Sequence, residues 1–171
     1  QGTRPASGHL QASQLDLQAL RALALRWPLR AGMPPRLRAA LQARDVLGRI
    51  TSLHLRWQGD WSRPDLQEAR ATVEGLSWQP GSEVVAAWGT LPGADVPGLR
   101  GGQLTLAMTA NGGRLDLQTG AGSALWFPGL LAPAEVPLQH MQASLSWARQ
   151  TGKGANASWH VPHWSLRLAN T

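Results

Sequence analysis

The chain has 171 residues, enough for one domain or one segment with a buried core. It contains nine Trp, one Phe and no Cys, and the absence of Cys is compatible with an oxidising or a reducing compartment. No uninterrupted apolar run approaches the ~18–20 residues that span a bilayer and no signal-peptide pattern is present, which excludes a transmembrane helix within these residues.

The net charge of +6 is concentrated at the start of the chain. Residues 1–49 hold eight Arg against Asp16 and Asp45, which gives +6, whereas residues 50–171 are neutral overall. Fifteen of the 16 basic residues are Arg. We expect a basic opening part followed by an uncharged one.

The opening part is expected to be a lead-in followed by helices. Residues 1–13 are small and polar and predict a flexible lead-in, and residues 14–48 predict two short helices. The first has Asp16 as its N-cap, ends at Pro28 and carries an apolar stripe at helical spacing; the second begins at Pro34-Pro35. The stripes consist of Leu17, Leu20, Leu23, Ala24 and Trp27, and of Leu37, Ala40 and Leu41. Two interpretations remain: a basic pair lying on anionic lipid, or a helical lid on a sheet, which the short, narrow stripes favour.

From residue 49 to residue 171 the period changes to two, which predicts an antiparallel β-meander. The alternation predicts strands around 53–57 and 69–73 and a short one at 84–88. Its phase breaks at Gly75, which indicates a β-bulge.

The clearest predicted hairpin has Asn111-Gly112 as a two-residue loop. That loop would pair Met108 with Leu115 and Leu106 with Leu117, and both apolar sets would share one face.

A second hairpin is predicted around the loop 152–154, which would place Trp147 opposite Trp159. The alternation then shifts at Pro162, and Trp164, Leu166 and Leu168 continue it. In all we expect seven or eight strands in an open, curved sheet. The β-bulges should make this sheet coil.

Motifs for chemistry are weak throughout. His160 and His163 lie three apart on a predicted strand with no acid nearby, so a metal site is not expected. No phosphate-binding Gly loop and no nucleophile elbow occur. The sequence pI of about 11.6 would suit nucleic acid, but the positive charge is separate from the Trp-bearing strands, so nucleic-acid binding is not expected. We expect neither catalysis nor a cofactor.

The ordered series of segments resembles the AsmA-like family, in particular its YhdP branch of long bacterial envelope proteins. The resemblance rests on LHLRWQGDW at 53–61, GLSW at 75–78, PGLRGGQLTL at 97–106, GRLDL at 113–117, PLQHMQASLSW at 137–147 and LRLAN at 166–170. It implies a periplasmic protein of a Gram-negative bacterium, anchored in the inner membrane, whose strands form a long trough with an apolar floor. Such proteins are thought to conduct phospholipids toward the outer membrane without an enzymatic step.

Under this resemblance the chain is one internal segment of a longer protein. Its partners would be phospholipid acyl chains, neighbouring segments of the parent chain and, through an N-terminal anchor outside these residues, the inner membrane. The strand alternation supplies the candidate groove residues: Leu53, Leu55, Trp57, Leu104, Leu106, Met108, Leu115, Leu117, Leu145, Trp147 and Trp159.

Two other functions fit the same alternation. A passive scaffold or partner-binding β domain would seal its apolar face with its own helices, and a carbohydrate-binding module would present flat, exposed Trp side chains.

Overall fold

The protein is represented by a computed structural model, which describes residues 7–26, 46–59, 65–80, 97–128, 131–151 and 157–169. The described residues form one antiparallel sheet of nine strands with little helix, and the sheet does not close on itself. The predicted fold class is therefore confirmed. The elements are β1 (Ser7–Ala12), β2 (Leu15–Asp16), α1 (Leu17–Arg26), β3 (Leu47–Gln58), β4 (Asp65–Trp78), β5 (Gly98–Thr109), β6 (Gly112–Trp126), β7 (Glu135–Leu138), β8 (His140–Thr151) and β9 (Ala157–Ala169).

The strands are arranged as a meander. Their order is β1-β3-β4-β5-β6-β8-β9, with the short β2 paired to β3 and the short β7 paired to β6. Most neighbours in the sheet are therefore neighbours in sequence, as the repeated hairpin signals predict.

Strand β1 differs from the prediction of a lead-in over residues 1–13. Ser7–Ala12 pairs with β3 in register, with Leu10 opposite Leu55 and Ala12 opposite Leu53. The apolar side of β1 is carried by Gly8, Leu10 and Ala12, and a stretch with so few large side chains has a weak strand pattern. Pairing with the edge of β3 supplies the stability that its own composition lacks.

Helix α1 begins where the sequence predicts. The Asp16 carboxylate accepts hydrogen bonds from the Gln18 backbone N–H at 2.7 Å and from the Ala19 backbone N–H at 3.3 Å, which is N-capping. The end of the stripe at Trp27 and Pro28, the second helix and the strand at 84–88 lie outside the described residues.

A line of glycine bulges crosses four adjacent strands. The register shifts beside Gly48, Gly75, Gly101 and Gly122, and the last three have φ of 62°, 82° and 87°. Those φ values are open to glycine at little cost. The phase break predicted at Gly75 is thus confirmed as a bulge, and Leu76 and Trp78 regain the face that Val73 occupies.

The central hairpin forms, but its predicted loop is wrong by one position. The loop residues are Ala110 and Asn111, so Leu106 pairs with Leu115 and Leu104 with Leu117. Gly112 is a strand residue that pairs with Thr109 and with Ala148, and a Cβ there would collide with the Trp147 carbonyl oxygen, so the position requires glycine. The shift moves each pair by two residues, which leaves both apolar sets on one face.

The last hairpin also differs in register from the prediction. Trp159 lies opposite Arg149, not opposite Trp147, and five residues separate the paired Thr151 and Ala157. A register shift between Ser146 and Ala148 places Trp147 opposite the bulge that contains Pro162. Proline lacks the N–H of a ladder position, so a bulge forms there. Beyond it Trp164, Leu166 and Leu168 continue the alternation as predicted.

Candidate functional site on the apolar face

Side chains that lie directly opposite each other on neighbouring strands form apolar rows across the sheet. We call the face that carries these rows the apolar face. The first row is Leu10, Leu55, Ala69, Met108, Gly113 and Trp147; the second is Ala12, Leu53, Ala71, Leu106, Leu115, Leu145 and Trp164; the third is Leu15, Ile50, Val73, Leu104, Leu117, Ala143 and Leu166. No polar side chain interrupts any of the three.

The predicted groove residues are brought together on this face. Leu53 is buried, with 8% of its surface exposed, and the others whose side chains the structure describes are half-buried. Trp159 lies in β9, where its backbone pairs with that of Arg149, and its side chain is outside the described residues. The other predicted groove residues all have their side chains on the apolar face: Leu53, Leu55, Trp57, Leu104, Leu106, Met108, Leu115, Leu117, Leu145 and Trp147.

The prediction missed the most buried part of the face. Ile50, Val73 and Leu76 are 2%, 7% and 6% exposed and form one cluster with Leu53, and a second cluster consists of Leu99, Leu138 and Met141. Ile50 and Leu76 fall beside bulges, where strict alternation breaks. Following the apolar pattern across the breaks would have placed them on this face.

Helix α1 covers one end of the apolar face. Its Leu17 and Leu20 side chains pack against the cluster around Ile50. The Gln18 side-chain amide donates to the Val46 carbonyl at 2.7 Å, which fixes the helix to the start of β3. At this end the rows form an ordinary core.

The opposite end of the face, on β9, is exposed to solvent. The exposed fractions are 73% for Trp164, 52% for Leu166 and 56% for Leu168. These side chains end the second row, the third row and a fourth row of Leu76, Gly102, Thr119, Met141 and Leu168. The apolar face therefore runs to the edge of the sheet without a polar boundary.

Several Trp side chains have structural roles. The Trp57 indole occupies the space beside Gly8, where a Cβ would lie 2.2 Å from a ring carbon, and the Trp147 indole covers Gly113 in the same way at 2.5 Å. Such cross-strand pairs shield glycines in a strand. Trp78 donates its indole N–H to the Pro97 carbonyl at 2.8 Å.

The other face of the sheet is polar. It carries rows such as Ser52, Thr72, Thr105, Asp116, Ser144 and Ser165. Glu68 forms ion pairs with Arg56 at 3.2 Å and with Arg70 at 2.9 Å. One face of the sheet is thus hydrophilic and the other is apolar.

Asp116 is the best-connected acid on the polar face. Its carboxylate accepts from the Arg114 guanidinium at 2.7 and 2.8 Å and from the Ser144 hydroxyl at 2.5 Å. The Arg114 hydrogen bond, followed by the Ser144 bond and the attraction of the guanidinium charge, holds the pKa of Asp116 below its usual value although partial burial opposes the shift. The low pKa keeps Asp116 charged and suits a structural acid.

A cleft of about 410 Å³ lies beyond the line of bulges. Its lining includes the half-exposed Leu47 and Trp126, and Arg100 forms an ion pair with Glu135 beside it. Arg100 and Trp126 alternate along their strands with Leu99 and Leu125, so they lie on the face opposite to those residues. Trp78 and Leu99 line the cleft as well, so it also reaches the buried cluster of Leu99, Leu138 and Met141.

Groups for metal or acid–base chemistry are sparse in the part of the chain that the structure describes. Within that part no three His, Asp or Glu side chains lie close enough to hold a metal ion. Thr119, in the fourth row, is 5% exposed, and its hydroxyl finds no hydrogen-bond partner among the described residues. None of the described helices has the length and apolarity needed to cross a membrane.

Comparison with known proteins finds that no family model, no curated protein and no solved structure matches the chain.

Proposed function

We propose that the chain is a non-enzymatic segment of a periplasmic AsmA-like protein of the YhdP branch, in which the apolar face binds phospholipid acyl chains and conducts them between the inner and outer membranes. The observation that supports this proposal is that the second and third apolar rows run uninterrupted across the sheet and end exposed on β9, at Trp164 and Leu166. A sealed core would end its rows in buried or polar positions.

The dimensions of the face suit an acyl chain. The second row crosses seven strands, which at a spacing of ~4.8 Å makes it about 29 Å long. One leaflet of a bilayer has a hydrocarbon thickness of about 15 Å, half of the ~30 Å core. An acyl chain that lies along the row therefore stays on apolar side chains over its whole length, and each buried methylene contributes about 0.8 kcal/mol.

Passage along such a face needs no catalytic group and no cofactor. Binding by apolar contact is non-directional, so a chain can slide from one strand to the next without breaking specific hydrogen bonds. A neighbouring segment of the parent protein would extend the rows beyond β1, and the polar face would remain in the aqueous periplasm.

The experiment is to purify the chain from a Gram-negative host, extract it with organic solvent and measure phospholipids by mass spectrometry. We expect phospholipid in amounts comparable to the protein. The Leu106→Asp variant, which places a carboxylate in the middle of the second row, should carry several-fold less. Absence of phospholipid from the folded wild-type chain would contradict the proposal.

A second candidate function, a partner-binding scaffold with a sealed face, is favoured by α1, which covers the end of the rows around Ile50. The two candidates differ at Leu106. In a sealed core Leu106→Asp unfolds the chain, whereas at the wall of an open groove the carboxylate keeps its water and the chain folds.

A further inference from the structure

Strand β9 is the edge of the sheet, and its outer side has no neighbouring strand among the described residues. Pairing with β8 uses alternate backbone groups of β9 and leaves the remaining N–H and C=O groups pointing outward. Natural proteins usually protect such edges with charges or covering loops. On its apolar face β9 instead presents Trp164, Leu166 and Leu168, each more than half exposed.

The side-chain pattern of β9 is complementary to itself. If two copies of β9 run antiparallel about a two-fold axis through Leu166, Leu166 lies opposite Leu166 of the second copy and Trp164 lies opposite Leu168. On the polar face Ser165 lies opposite Arg167. From 164 to 168, each apolar residue therefore faces an apolar residue and each polar residue faces a polar one. No like charges are directly opposed in this register.

Other nearby registers are worse. An axis through Arg167 would place the two guanidinium groups opposite each other, and an axis between two residues would put apolar side chains opposite polar ones. An axis through Ser165 would bring Pro162, which has no N–H, into the pairing opposite Leu168.

We propose that β9 is a self-association edge at which a second copy of this chain adds its own β9 in antiparallel register centred on Leu166. The two sheets then form one continuous sheet, and the third row of one copy passes through Leu166 into the third row of the other. Residues 163–169 of each copy take part. An edge of this length buries less than the ~1,600 Å² of a standard interface, so we expect a dissociation constant in the roughly micromolar range.

Cysteine crosslinking tests the register because the chain has no Cys of its own. In Leu166→Cys the two Cys residues lie opposite each other at the axis. Their Cα atoms are ~4.5–5.5 Å apart, a separation that a disulfide can bridge. In Trp164→Cys the two thiols are four residues apart along the strands, about 13 Å, which a disulfide cannot bridge. We expect mild oxidation to crosslink Leu166→Cys alone, and Trp164→Cys only when it is mixed with Leu168→Cys.

Sedimentation velocity over a concentration series tests the association itself. Leu166→Lys places two ammonium groups against each other at the axis and should weaken dimerisation by roughly tenfold or more. Leu131→Lys is the matched control, because Leu131 is 49% exposed and lies outside the strands. It should leave dimerisation unchanged.

Three outcomes would overturn the proposal: a wild-type chain that stays monomeric up to about 1 mM, far above the expected micromolar constant; efficient crosslinking of Trp164→Cys with itself; or a dimer that Leu166→Lys and Leu131→Lys affect equally. If the wild-type chain stays monomeric, the edge of β9 is available to a strand of a different chain. Phospholipid content is measured separately, so a monomer that carries lipid refutes this inference alone.

Discussion

The two ends of the apolar face are made of the same kinds of residues but differ in what covers them. In the third row Ile50, next to the end at Leu15, is 2% exposed, and Leu166 at the other end is 52% exposed. In the fourth row Leu76 is 6% exposed and Leu168 is 56% exposed. At the Ile50 end α1 supplies a second layer, and at the β9 end the row meets solvent.

The difference teaches that alternation fixes which face is apolar but not whether that face is buried. A row of leucines has the same sequence pattern under a helix as at an open edge. Burial is decided by a segment far away in sequence, here the ten-residue α1. Predictions that compare the two ends therefore test more than either end alone.

The largest expected effect comes from placing a charge near the covered end of the third row, at Ile50, and at its open end, at Leu166. Ile50→Asp buries an unpaired carboxylate beneath α1 and should cost several kcal/mol, enough to unfold a domain whose whole stability is ~5–15 kcal/mol. Leu166→Asp leaves its carboxylate in water and should melt within a few degrees of wild type. Thermal melting followed by circular dichroism measures both. Equal losses at the two positions would show that β9 is covered in solution.

Several features of the fold and of the apolar face could be predicted from the sequence. The alternation predicted the antiparallel meander, the shared face of Leu104, Leu106, Leu115 and Leu117, and the bulge at Gly75. The acid that precedes the helical stripe predicted the N-cap at Asp16. These features are local: each depends on residues a few positions apart, whose backbone preferences and side-chain period act directly.

The features that the sequence missed depend on distant strands. Gly112, which was predicted in the central loop, instead pairs with Ala148 of β8, and β1 is held by β3, 35 or more residues later along the chain. The burial of Ile50 requires α1, and the exposure of Leu166 follows from its place on the edge strand. No local pattern contains this information, because tertiary neighbours override local propensity.

A second, smaller effect compares glycines at the two halves of the sheet. In Gly113→Ala the new Cβ would lie 2.8 Å from the Met108 Cβ and 2.9 Å from the Ala107 carbonyl oxygen, besides meeting the Trp147 indole. Because strand backbones must move, we expect a loss of ~1–3 kcal/mol. In Gly8→Ala the new Cβ meets the Trp57 indole beside the short edge strand β1, and a smaller loss is expected.

The control for both is Gly120→Ala, where the added Cβ meets nothing within 4 Å. Its stability should stay within about 0.5 kcal/mol of wild type. Chemical denaturation of the three variants gives the ranking. A Gly113→Ala loss no larger than that of Gly120→Ala would mean that the strands near the open end are loosely packed as well as exposed.

The next effect concerns the middle of the face, between the covered and the open end. Leu106 is half-buried in the second row, so Leu106→Asp should retain a cooperative melt within a few degrees of wild type. A sealed interior would instead lose its folding, since the carboxylate would have no partner and no water. Melting of this variant beside Ile50→Asp locates the boundary between core and groove along the rows.

The smallest effect is on the polar face, which is independent of how the apolar face is covered. The pKa of Asp116 in the folded chain is lowered, chiefly by its hydrogen bonds with Arg114. The stabilisation from this acid is therefore present in full above the usual carboxyl pKa of roughly 4, and it is lost as the pH falls through the lowered folded-state pKa. Because Arg114 is largely exposed, Asp116→Asn should lower the melting temperature at pH 7 by only roughly 1–3 °C. The gap to wild type should close in acid, near pH 2. A double-mutant cycle with Arg114→Gln checks the cause: the two changes should be non-additive at pH 7 and additive at low pH, and a gap that persists in acid would assign the effect to packing rather than to charge.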